Sequence, residues 1–219
     1  MEPPIRAVIF DFGGVILTSP FEAFSRYEQD HGLPAGLLRQ LNAANPDDNA
    51  WARLERNEID LAGFVQLFAS EALAAGHEVD GAAVLGILTA TDLRPSMVEA
   101  LRRCHERLKT ALLTNNFVAL DDPDRQGAAL AGSNGQMAAV LDEFDVIVES
   151  SRVGIRKPDP AIYDLVCDRL GVAPPEAVFL DDLGINLKPA RAMGMTTIKV
   201  VDAGQAITDL EKVVGFPLR

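Results

Sequence analysis

Five short apolar runs, each four to six residues long, constrain this chain more than any other feature. They are Ile5–Phe10, Thr110–Thr114, Val146–Glu149, Ala177–Leu180 and Thr197–Val201. Runs of that length read as buried strands. Helical patterns separate them. Pro95 can open a helix that carries Val98, Leu101 and Leu108 on one face. Asp159-Pro160 looks like an N-cap followed by proline at the first helical position, after which Ile162, Leu165, Val166 and Leu170 recur at helical spacing until Gly171 can end the helix. Strands that alternate with helices predict an α/β fold built on a doubly wound parallel sheet. In such sheets ligands lie beyond the carboxyl ends of the strands. Three of the five runs end there in polar clusters: Asp11, Thr114-Asn115-Asn116 and Asp181-Asp182.

The alternation breaks once. A doubly wound, Rossmann-like sheet should reach its second strand within roughly 30 residues of the first, yet about 95 residues separate Asp11 from Thr110. The intervening chain reads as helices over Phe21 to His31, Leu37 to Asn42 and Asp60 to Ala75. In the last of these Leu61, Phe64, Val65, Phe68, Ala72 and Leu73 share a face. The expected organisation is therefore an α/β core over residues 1–17 and 92–219, with an all-helical cap of residues 18–91 inserted after the first strand. Phe64 and Phe68 stand four apart and are expected in the cap's core, which leaves Phe21 and Trp51 as pocket candidates. Residues 121–139 are rich in Asp, Gly and Ala and read as a mobile loop, with Asp121, Asp122 and Asp124 as solvated charges.

Composition excludes several function classes. The chain has 219 residues, 20 Lys+Arg and 32 Asp+Glu, for a net charge of −12. Nucleic-acid and anionic-membrane partners both require concentrated basic residues and are not expected. The charge is uneven: residues 18–91 hold 4 basic and 11 acidic side chains, a net of −7, and the rest carries −5. The two cysteines, Cys104 and Cys167, make neither a disulfide framework nor a four-ligand zinc site and read as reduced small hydrophobes. No basic segment leads into an apolar run at the N-terminus, and no stretch approaches the roughly 18 apolar residues of a membrane span. A cytoplasmic protein, monomeric or homodimeric, is the expectation.

The rim residues carry the chemistry. Asp11 meets a glycine turn, where a carboxylate is free to attack an electrophile or bind a cation. Adjacent carboxylates at Asp181-Asp182 repel unless a cation intervenes, and oxygen-rich sites suit Mg²⁺. Thr114 and Asn115 offer hydroxyl, amide and loop N–H donors to a phosphate oxygen. Pro158 biases Lys157 to an extended backbone, from which its ammonium can reach the other clusters. Each residue alone has an ordinary turn or solvated-surface explanation. Together, four such features on one doubly wound pattern point to a site.

In these residues the chain resembles the haloacid dehalogenase (HAD) superfamily of phosphohydrolases. Asp11-Phe12-Gly13-Gly14-Val15 is similar to that family's first motif, Leu113-Thr114-Asn115 to the second, Lys157-Pro158 to the third and Asp181-Asp182 to the fourth. Supporting stretches are Val148–Ser151 and Phe179–Lys188. The resemblance implies that Asp11 is a nucleophile forming an aspartyl-phosphate on a small phosphorylated substrate. It implies that Thr114 and Asn115 hold the transferring group and that Lys157 neutralises its charge. Asp182 would bind Mg²⁺ with Asp11, and Asp181 would orient the site. One position departs from the pattern. The family's phosphatases usually carry a second aspartate two residues after the nucleophile, as the leaving-group acid, and here that residue is Gly13. Its backbone carbonyl can still meet a metal, but the proton relay is missing, and weak turnover is expected. The gap also leaves open a non-catalytic domain that binds a phosphorylated metabolite or a protein partner, and a metal-free 2-haloacid dehalogenase.

Overall fold

The computed structural model describes residues 3–89, 91–117 and 135–219. Its strands are β1 (Ala7–Phe10), β2 (Lys109–Thr114), β3 (Val146–Glu149), β4 (Ala177–Asp181) and β5 (Thr196–Lys199). They form one sheet in the order β3-β2-β1-β4-β5, and every adjacent pair is parallel. The helices are α1 (Phe21–Asp30), α2 (Leu37–Ala43), α3 (Ala50–Glu55), α4 (Leu61–Ala74), α5 (Gly81–Thr89), α6 (Pro95–His105), α7 (Gly135–Leu141), α8 (Ser150–Val153), α9 (Pro160–Leu170), α10 (Gly184–Ala192) and α11 (Ala203–Val214).

The central strands β1, β2 and β4 are buried almost throughout because both faces of the sheet are covered there, whereas the edge strand β5 buries only Ile198. Val8, Phe10, Leu112, Val178 and Leu180 point to one side and join buried residues of α6, α7 and α11, including Leu101, Val140 and Leu210. Ala7, Ile9, Ala111, Leu113 and Phe179 point to the other and join Tyr163 and Val166 of α9 and Leu187 of α10. Register then aligns the strand ends. Phe10 stands opposite both Leu112 and Leu180, and the N–H of Asp11 donates to the carbonyl of Leu180 at 2.9 Å. Asp11, the end of β2 and the end of β4 therefore lie side by side on one edge.

Helices α1 to α5 form a layer with a separate apolar cluster of Phe24, Leu38, Leu41, Trp51, Leu54, Phe64, Phe68 and Val84. Phe64 and Phe68 are fully buried and stack at 5.3 Å between centroids, with Trp51 edge-on to Phe64 at 4.6 Å. Asn49 caps α3 through Ala52 N–H at 2.8 Å, and Asp60 caps α4 through Gly63 N–H at 2.7 Å. The chain enters and leaves this layer through a narrow neck. Leu17 pairs antiparallel with Leu93, Thr18 N–H donates to Asp92 O at 2.8 Å, and Arg94 N–H donates to Ile16 O at 2.8 Å.

Differences from the sequence expectations are local. The first run enters the ladder at Ala7 rather than Ile5, although Arg6 still makes β-like bonds to Glu176 O and from Lys109 N–H. The last run ends at Lys199, and Val201 is 74% exposed. Helices α3 and α5 were not anticipated. The stretch expected as a loop is helical at its end: Gly135–Leu141 form α7, whose Val140 and Leu141 are buried against the sheet. The rest of that stretch, including Asp121, Asp122 and Asp124, lies outside the described residues.

Candidate active site

The site grows from the carboxyl edge of β1. Asp11 accepts from the N–H of Phe12 through Oδ1 at 2.7 Å, which holds the carboxylate at the start of the turn Phe12–Ile16. That turn needs a left-handed residue at Gly14, with φ of +73°. A Cβ on Gly14 would also collide with the Asp182 carboxylate. Glycine here is what lets the end of β4 close on the end of β1.

Lys157 sits at the centre. Its ammonium is 1% exposed and lies 2.8 Å from Asp11 Oδ1 and 2.8 Å from Asp181 Oδ2. A buried lysine is tolerated only with such partners. Burial works against its charge, but Asp11 and Asp181 outweigh burial and raise its pKa above the ordinary value. Asp181 is fully buried and receives further bonds from Leu183 N–H at 2.8 Å and from Asn186 Nδ2 at 3.1 and 3.0 Å. Tyr163 in turn donates to Asn186 O at 2.7 Å. Asp181 is thus a hub that orients Lys157. Asp11 Oδ1 takes the bonds from Phe12 and Lys157, so Oδ2 is the oxygen left for chemistry.

Carboxylate oxygens of Asp11, Asp181 and Asp182 lie within 4.8 Å of one another. Three carboxylates against one ammonium leave an excess of negative charge in a largely buried site. Its cost shows in the titration. Burial above all, reinforced by Asp181 and Asp182 and opposed by Lys157, pushes Asp11 well above the ordinary 3.8. Burial and the Asp181 charge push Asp182 up to about 6. A hard dication with oxygen ligands would relieve this repulsion, so the residues present fit Mg²⁺.

Thr114 is buried at the end of β2. Asn115 follows it and is tied to the lysine loop: its Nδ2 donates to Lys157 O at 3.0 Å, and its Oδ1 accepts from Lys157 N–H at 2.9 Å. Asn115 therefore places Lys157 as well as facing the site. Beneath it, Asn116 Nδ2 donates to Glu149 at 2.7 Å and Ser151 Oγ donates to Asn116 Oδ1 at 2.8 Å, binding the ends of β2 and β3 together.

A cavity of about 1280 Å³ opens above these groups, with Asp11, Gly13, Thr114, Asn115, Lys157 and Asp182 at its floor. Phe21, Phe24 and Trp51 line it from the helical layer, whereas Phe64 and Phe68 do not. Sequence reasoning missed Glu55, Arg156, Asn186 and Tyr163. Asn186 had one local signal, its place in the first turn of the helix after the Asp181-Asp182 pair. Glu55 and Arg156 had none, because each has a partner distant in sequence.

Comparisons with known proteins bear on the family and the fold. The family model described as haloacid dehalogenase-like hydrolase matches residues 5–194, and the chain belongs to that family of hydrolases. Mouse acyl-CoA dehydrogenase family member 10 is 37% identical over 97% of this chain, which spans only 19% of that protein's length. Phosphatase MT3486 of Mycobacterium tuberculosis (strain CDC 1551 / Oshkosh) is 31% identical over 92% of this chain and 89% of its own. In fold, the chain is similar to a HAD family enzyme of Bacteroides thetaiotaomicron crystallised with magnesium and inorganic phosphate. The TM-score is 0.61 at 20% identity, covering 94% of this chain and 98% of that one.

Proposed function

We propose that this chain is a Mg²⁺-dependent phosphohydrolase that cleaves a small phosphorylated metabolite through an aspartyl-phosphate on Asp11. The observation that carries the reading is the bridge of Lys157 between Asp11 and Asp181 at 2.8 Å on each side, with Asp182 alongside. It keeps a nucleophilic carboxylate aligned while adding positive charge where a phosphate would approach. Asp11 Oδ2 attacks phosphorus as the bond to the leaving oxygen breaks, and with glycine at position 13 that oxygen takes its proton from solvent. Lys157, the Thr114 hydroxyl and Asn115 hold the transferring oxygens, and water later releases phosphate from Asp11. Phosphoryl transfer asks mainly for such positioning and charge neutralisation. Asp11, Asp182 and the Gly13 carbonyl would hold Mg²⁺, with Asp181 fixing the arrangement. The ion supplies charge neutralisation that lets an anionic nucleophile meet an anionic ester. A phosphatase among the relatives and a magnesium-phosphate complex among the similar folds support this reading.

Residues 18–91 serve as a cap over a core of residues 1–17 and 92–219, with the neck at Leu17 and Leu93 as their junction. No helix among the described residues is long and apolar enough to cross a membrane. Cys104 and Cys167 are free, buried thiols, as suits the cytoplasm. The deciding experiment is a panel of phosphate esters with and without Mg²⁺, with Asp11→Asn as control. Activity that needs both Mg²⁺ and Asp11 supports the proposal, and activity that survives Asp11→Asn overturns the nucleophile assignment. Gly13 favours one second reading, a non-catalytic domain that binds a phosphorylated metabolite. Complete inactivity across the panel, with Mg²⁺ binding retained, would select it. A metal-free dehalogenase leaves the repulsion among three carboxylates unrelieved.

A further inference from the structure

The helical layer meets the α/β core at the neck and again at a second place, where an ion pair spans the boundary. Arg156 Nε lies 2.7 Å from Glu55 Oε2, and the two side chains are 16% and 15% exposed. Arg156 Nη1 also donates to Pro46 O at 2.7 Å. One guanidinium thus grips the connection into α3 and the last residue of α3 together. Neck and ion pair both border the cavity.

Glu55 is an expensive residue to keep there. It ends a helix, where the backbone dipole opposes a negative charge, and it is largely removed from water. Burial raises its pKa above the ordinary value while Arg156 opposes. A partly buried carboxylate in that place needs its partner. The partner, moreover, is the residue immediately before Lys157. The Lys157 backbone is clamped on both sides by the Asn115 amide, and its ammonium bridges Asp11 and Asp181. The ion pair on α3 is therefore joined through a single peptide bond, Arg156-Lys157, to the lysine at the centre of the site.

We infer that Glu55 and Arg156 are positioning residues: their ion pair is a latch that couples the seating of the helical layer over the cavity to the placement of Lys157. The catalytic part of this inference rests on the phosphohydrolase reading. The coupling between layer and lysine loop does not.

Variants E55Q and R156A, with the double variant, test it on p-nitrophenyl phosphate with Mg²⁺. Each single variant is expected to lower kcat/KM about tenfold, with loss in kcat as well as a rise in KM, and the double variant to be no worse than either single one. R156K, which keeps the charge but cannot serve both Glu55 and Pro46, should recover part of the loss. Additive losses, or a lowered Tm with kcat and KM unchanged, would overturn the latch. Trp51, the chain's one tryptophan, lies in α3 beside Glu55 and lines the cavity. Its acrylamide quenching should rise in E55Q and in R156A, and hydrogen exchange at residues 155–158 should quicken. Should the wild type hydrolyse no phosphate ester, the phosphohydrolase reading fails and these two measurements still judge the latch. Unchanged quenching and exchange overturn it.

Discussion

Two neighbouring glycines at the end of β1 have opposite constraints. Gly14 is locked by its φ of +73° and by the Asp182 carboxylate in the space a side chain would fill. Gly13 has φ −64° and ψ 132°, ordinary for any residue, and a Cβ there meets nothing within 4 Å. Gly13→Asp should therefore fold and place a carboxyl beside Asp11, the proposed nucleophile. A positioned acid is typically worth roughly a hundred- to ten-thousand-fold in rate. The variant is expected to raise kcat at least tenfold on alkyl phosphates, whose leaving group needs a proton, and far less on aryl phosphates. Steady-state kinetics on the two ester classes checks this. An unchanged alkyl rate in a folded variant would mean that the site has no use for the added acid. Gly14→Ala, by contrast, should lose activity by pushing Asp182 away. In the sequence the two glycines look alike. What separates them is a carboxylate far along the chain, so no local pattern can carry the distinction. Asp11 and Asp181-Asp182 were legible as candidates because each closes or follows an apolar run, and Lys157 because Pro158 follows it. Their mutual distances were not.

Among elements, legibility followed length and contrast. The central strands stand out because burial on both sheet faces makes them largely apolar, and the observed limits of all five fall within two residues of the runs in the sequence. Helices α6 and α9 announce themselves through Pro95, and through Asp159-Pro160 with Gly171, because caps and terminal prolines are local chemistry. Helix α3 is too short to show a period, at six residues. Helix α5, Gly-Ala-Ala-Val-Leu-Gly-Ile-Leu-Thr, is apolar nearly all round and offers no face to detect. Helix α7 sits at the end of a stretch whose composition spoke for loop, and only its last residues bury against the sheet. The layer α1 to α5 has its own core, so damage there should leave the sheet's carboxyl edge in place. Phe64→Ala removes a fully buried ring from the stack with Phe68 and Trp51. Denaturant unfolding should show a loss of about 3–5 kcal/mol, as for other buried aromatic truncations. A loss below about 1 kcal/mol would mean that this cluster collapses to fill the gap.

On the scale of the whole molecule, the acidic balance and the site tell one story. A chain with a net charge of −12 gathers two more carboxylates than its one buried lysine can balance, at the point where the proposed anionic ester would approach. Asp182, pushed up to about 6 from an ordinary 3.8, binds more protons in the folded than in the unfolded state between those values. Stability of the metal-free protein therefore falls as pH rises through that window, because the folded state is charged there at a cost the unfolded state does not bear. Asp11 is raised as well and contributes with the same sign. Mg²⁺, if held there as proposed, would bind the ionised carboxylates and compete with protons for them. Saturating Mg²⁺ should accordingly raise Tm more at about pH 8 than at about pH 5, since protonation removes its ligands at the lower pH. Asp182→Asn should lift the metal-free Tm at the higher pH, by deleting a repelled charge, and shrink the Mg²⁺ increment. Thermal melts of both proteins at the two pH values, with and without Mg²⁺, check the sign. An increment equal at both pH values, or one that survives in Asp182→Asn, would mean that Mg²⁺ binds elsewhere and that Lys157 alone balances the carboxylates.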